Sequence, residues 1–98
     1  MLYMFVATWT PDKHGDTLKK FMTWGSWAPK GMKEIAMWGD VWGHRCFRLM
    51  EITDADPKVM FASHMPFDDV LDIQAYQVID AKDFPAIMGE TMKLVPKK

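Results

Sequence analysis

The chain has 98 residues and a mass of 11.4 kDa, which leaves room for a single domain, 1–98, around one compact core. Apolar residues make up 49% and charged residues 26% of it, too apolar for a disordered chain, and no run approaches the ~20 apolar residues of a membrane span. Twelve Lys and Arg stand against 13 Asp and Glu with no basic stripe, which argues against a nucleic-acid partner.

In chain order, the first expected element is a strand from Leu2 to Thr8 or Trp9. Its two faces, Leu2, Met4, Val6 and Tyr3, Phe5, Ala7, Trp9, are both apolar, as in a strand covered on both sides. Thr10-Pro11-Asp12 breaks it, and Thr10 or Asp16 is placed to cap the helix that follows. Leu18, Phe21, Met22 and Gly25 recur at helical spacing, and Ala28-Pro29-Lys30-Gly31 ends that helix. Met32 to Trp38 reads as a second strand, Gly39 to Gly43 as a five-residue hairpin loop, and His44 to Ile52 as the third strand. Thr53-Asp54-Ala55-Asp56-Pro57 supplies caps and then proline at the first helical position, so a helix is expected from Pro57 to Met65, stopped by Pro66. Leu71 to Ile79 is the fourth strand, with Ile73, Ala75 and Ile79 on one face. A short C-terminal helix over about 83–94 follows, capped by Asp83, with Phe84, Ile87 and Met88 as its apolar face.

This order, βαββαβ plus a terminal helix, predicts an α+β, ferredoxin-like fold with a core over 2–80. Both crossover helices fall on one side of the sheet, which leaves the other face of the first strand bare. The simplest cover is a second copy, so a homodimer packed through the sheet face is expected.

Four segments carry a family resemblance: Phe21-Met22-Thr23-Trp24-Gly25, Pro29-Lys30-Gly31, the stretch from Gly43 to Glu51, and Pro66 to Asp72. Over about residues 2–80 the chain resembles a domain-of-unknown-function family of short bacterial and archaeal proteins. The resemblance implies the dimeric α+β barrel superfamily. It carries no agreed activity and transfers no catalytic residue.

Arg48 is the most informative charge. Alternation puts it among apolar neighbours on one face of the third strand, where a charge requires a partner. Asp72, Gln74 and Tyr76 share one face of the fourth strand and are candidate partners, and the candidate ligand-binding set is Arg48, Tyr76, His44 and Asp72. His14, His44 and His64 have no helical metal spacing and no supporting cysteine cluster, so no metal and no cofactor is predicted. Only fold analogy would make His64 an axial haem ligand. Cys46, the only cysteine, excludes an internal disulfide and is read as a buried packing residue. Its isolation and the lack of a basic segment before Leu2 point to the cytoplasm. The functional expectation is a small-molecule-binding or structural homodimer. The alternative is a cofactor-independent monooxygenase-like or isomerase-like enzyme that uses the barrel cavity.

Overall fold

A computed structural model describes residues 1–97. Strands β1 (Leu2–Thr8), β2 (Met32–Gly39), β3 (Arg45–Ile52) and β4 (Asp72–Val78) form one four-stranded sheet in the order β2-β3-β1-β4. All neighbouring pairs are antiparallel. Helix α1 (His14–Trp24) joins β1 to β2, α2 (Pro57–His64) joins β3 to β4, and α3 (Phe84–Leu94) follows β4. The protein is thus an α+β domain with an antiparallel sheet and three helices.

The core lies on one face of the sheet. Phe5, Ala7, Cys46, Met50 and Ile52 point there, and Phe21 of α1 and Val59 and Met60 of α2 pack over them. Met50 and Ile52 are fully enclosed. Leu2, Met4, Val6, Phe47 and Leu49 alternate onto the opposite face, which no described helix covers. Both faces of β1 are therefore apolar, as its sequence predicts, but only one of them is buried within the chain.

Local chemistry explains most boundaries. Asp56 accepts a hydrogen bond from the backbone N–H of Lys58 at 2.9 Å, and Pro57 opens α2, so the expected cap and start are as read. Pro66 ends α2 one residue early, and Met65–Phe67 tighten into a 3-10 turn. The start of α1 differs from expectation. Pro11–Lys13 form a separate 3-10 turn, and neither Thr10 nor Asp16 caps the helix. The inward face of α1 also shifts, with Thr17 fully buried and Phe21 half-buried while Met22 is 85% exposed. Residues 17, 21 and 24 follow the helical repeat as well as 18, 21, 22 and 25 do, and periodicity alone does not choose between the two rows. Before α3 a 3-10 turn forms over Ala81–Asp83, capped by Asp80, whose side chain accepts from the Lys82 N–H at 2.9 Å, and Asp83 makes no capping bond to α3.

The hairpin turns one residue later than its sequence suggests. Asp40 N–H donates to the Arg45 carbonyl at 2.9 Å, so the loop is 40–44. His44 closes it in the left-handed region at φ 59°. In β2 the register with β3 breaks between Glu34 and Ala36. Met32 and Glu34 lie on the helix-covered face before it, opposite Ile52 and Met50, and the bulge at Ile35 reverses the alternation so that Met37 joins them, opposite Arg48.

Candidate functional site

Arg48 stands on the helix-covered face of β3, opposite Phe5 of β1. Its Nε donates to Glu34 Oε2 at 3.2 Å and its Nη2 to the Trp27 carbonyl at 2.6 Å. The two charged side chains keep only 13% and 15% of their exposure, so this is a largely desolvated pair. Glu34, brought to this face before the bulge, replaces Asp72 and Tyr76 as the partner of Arg48. Those two lie across the sheet: Asp72 opposite Thr8, and Tyr76 opposite Met4 with its hydroxyl donating to Gln74. His44 is elsewhere again, at the start of β3. Its ring stands 5.2 Å from that of His14, beside Trp9, whose Nε1 donates to His14 Nδ1 at 3.0 Å. Of the four expected site residues, only Arg48 faces a cavity under the helices.

That cavity is a hollow of about 40 Å³ between the sheet and the helices. Its walls are mostly apolar: Phe5, Phe21, Met37, Phe67 and Ile73, with Cys46. Arg48, Ser63 and His64 supply its polar rim. By itself it holds about one water molecule. It adjoins a wider groove of about 460 Å³ beneath α2, because Phe5, Ser63, His64 and Ile73 line both. Met60, Phe61 and Ala75 complete the wider part, which has the volume of a small organic ligand.

His64 is the hinge between the two spaces, and its imidazole is oriented. Nδ1 lies 2.9 Å from Asp68 Oδ1. A neutral ring that donates its Nδ1 proton to the carboxylate keeps Nε2 as an acceptor, the arrangement that suits a histidine to receive a proton or a hydrogen bond from a ligand. The neighbouring Ser63 hydroxyl is committed to the Met60 carbonyl at 2.6 Å and serves the helix. The sequence contains a signal for the His64–Asp68 pair: the two residues are four apart, the spacing of one helical turn. Pro66 between them hides it, since it reads as the end of the helix. The 3-10 turn over Met65–Phe67 continues the winding and preserves the approach.

Cys46 is buried in the same hollow, and burial pushes its thiol pKa up, opposed by the nearby Arg48 charge. A raised pKa and closed access both suppress the reactive thiolate. Native protein is therefore expected to react with a disulfide reagent at pH 8 roughly tenfold or more slowly than protein in denaturant. Equal rates in the two conditions would show that the β3 strand opens freely. Among the described residues, no group of three or more His, Cys, Asp or Glu side chains is disposed to hold a metal ion. No described helix is long and apolar enough to cross a membrane.

The sheet, both crossover helices and nearly all of α3 fall within a match to a known family model, which spans residues 1–92 and is described as a domain of unknown function, DUF3303. The chain belongs to the DUF3303 family. No curated protein and no solved structure matches it. The DUF3303 match extends beyond the 2–80 core to include most of the terminal helix, so α3 is part of the family's unit rather than an appendage peculiar to this chain.

Proposed function

We propose that this DUF3303 protein is a cytoplasmic homodimer of the dimeric α+β barrel type that binds a small, largely apolar molecule in the space between its sheet and helices. The strand order β2-β3-β1-β4 with both crossover helices on one face supports a ferredoxin-like reading of the fold. The uncovered face with Met4, Val6, Phe47 and Leu49 supports the pairing of two sheets. A free, buried Cys46 fits a reducing compartment.

One observation carries the ligand reading: an apolar groove of about 460 Å³ leads into a hollow rimmed by Arg48 and the oriented His64. An apolar body would fill the groove beneath α2, and a hydroxyl or carboxylate on it would meet His64. Arg48 has five N–H donors and spare capacity beyond its bonds to Glu34 and Trp27. His44, Tyr76 and Asp72 have no part in this site. The isomerase-like alternative gains support from the same His64–Asp68 pair, because isomerisation requires a positioned proton acceptor.

A thermal-shift screen with phenols and aromatic carboxylates tests the reading. A ligand at ten times its Kd adds about 1.4 kcal/mol, several degrees in Tm for a domain of this size. The shift should fall by at least half in His64→Gln, a substitution of similar size at a half-buried position. A panel that leaves the wild-type Tm unmoved, or shifts both proteins equally, would remove His64 from ligand recognition.

A further inference from the structure

We infer that α3 is an exchange arm whose apolar stripe is covered by a second copy of the chain. The inference rests on the homodimer reading above and adds to it a surface outside the sheet face. Phe84, Ile87, Met88 and Met92 follow the i, i+3, i+4 spacing of one helical face, and each is at least 43% exposed. No residue of α3 is buried, and the element it packs with is the short turn that precedes it. An amphipathic helix of 11 residues does not persist in water on intrinsic propensity, and its stability has to come from a surface that takes up its apolar side.

The dimensions of the chain lead to the same place. Its radius of gyration is 16.5 Å and its longest extent 53 Å, against a radius of about 13 Å for a compact domain of 100 residues. Its surface is 7293 Å², where a folded monomer of this mass exposes about 5,800 Å². The excess of about 1,500 Å² over that compact surface exceeds the ~800 Å² that each partner contributes to a standard interface.

The arm is held outward rather than left loose. Asp80 accepts from the Lys82 N–H through its side chain and from the Asp83 N–H through its carbonyl, at 2.9 and 3.0 Å, and Pro85 fixes the first turn of α3. This clamped exit sets the direction in which α3 leaves β4, away from its own sheet. The polar side of α3 carries no excess charge that would select a nucleic acid or an anionic lipid surface, since Glu90 and Lys93 pair with each other at 3.2 Å. A second copy offers what the stripe requires at the rim of the paired sheets, where Trp38 and Tyr76 stand on the edge strands β2 and β4, each 50% exposed. In a twofold dimer the exchange is reciprocal, so each chain covers both of its bare surfaces with one partner.

Two measurements on the full chain test this. Wild-type protein should scatter light as a particle of twice 11.4 kDa at micromolar concentration. The double replacement Ile87→Glu, Met88→Glu should raise the dimer dissociation constant by about 100-fold or more while the far-ultraviolet spectrum retains its sheet signal. Independently, a photo-crosslinking residue at Met92, which is 73% exposed, should join peptides from different chains when ¹⁵N-labelled and unlabelled protein are mixed. A wild-type monomer would overturn the arm and the homodimer together. A double variant that dimerises as wild type does, or crosslinks confined within one chain, would overturn the arm alone and leave the sheet-face dimer standing.

Discussion

Replacing Arg48 with methionine is expected to lower the unfolding free energy by on the order of 3–5 kcal/mol, because it strands the Glu34 carboxylate in a site that no longer offers a counter-charge. Methionine matches the length of the arginine stem, so the loss isolates the charge and its hydrogen bonds from the packing. Two partners are abandoned at once: Glu34 Oε2, 3.2 Å from Nε, and the Trp27 carbonyl, 2.6 Å from Nη2. At 13% and 15% exposure the two side chains have little water to turn to. Removing both charges should be far milder than removing one, so Arg48→Met with Glu34→Leu should recover most of the loss. Urea unfolding of the wild type, both single variants and the double variant gives the comparison. A single-variant loss below about 1 kcal/mol would mean that water reaches the pair and that it behaves as a surface ion pair.

The same pair shows what the sequence discloses and what it withholds. That a lone arginine among apolar strand neighbours requires a partner is legible from alternation. Which residue answers is not, because a one-residue slip between strands exchanges the two faces of a sheet. Register through β1 sets Ile73 and Ala75 beside Ala7 and Phe5, and sends Asp72 and Tyr76 to the other side. Register before the bulge sets Glu34 on the side of Arg48, and the bulge at Ile35 brings Met37, an odd-numbered residue, to join it there. Nothing in Met32–Trp38 announces a bulge: no glycine marks it, and both parities hold apolar residues. By contrast, features that local chemistry decides within a few residues were readable. The Asp56-Pro57 helix start, the stop at Pro66 and the two apolar faces of β1 fall in this class. The His64–Asp68 pair stands between the classes. Its spacing is local, but its use depends on a 3-10 turn carrying the chain past a proline.

The approach to β2 holds a second point where a small change should be costly. Gly31→Ala is expected to destabilise the protein by on the order of 3 kcal/mol, and Gly43→Ala by only about 1–2 kcal/mol. Both glycines have φ near +100°, 101° at Gly31 and 104° at Gly43, which a side chain adopts only under strain. The strain is common to the two sites, and the surroundings differ. A Cβ on Gly43 would meet nothing within 4 Å, since the hairpin tip stands in solvent. A Cβ on Gly31 would lie 2.8 Å from the Cβ of Asp54, closer than two carbons can stand. Relief by moving Asp54 is obstructed by the backbone it belongs to. The Gly31 carbonyl accepts from the Thr53 N–H at 2.8 Å, the Thr53 hydroxyl at 3.2 Å and the Asp54 N–H at 3.3 Å. Asp54 Oδ1 in turn accepts from the Asp56 N–H at 3.0 Å, one step before the cap of α2. Displacement at Gly31 therefore propagates from the start of β2 through the end of β3 to the helix that roofs the groove. Denaturant midpoints of the two alanine variants measure the difference. Equal losses would show that Asp54 yields without cost and that backbone strain accounts for the whole effect at both turns.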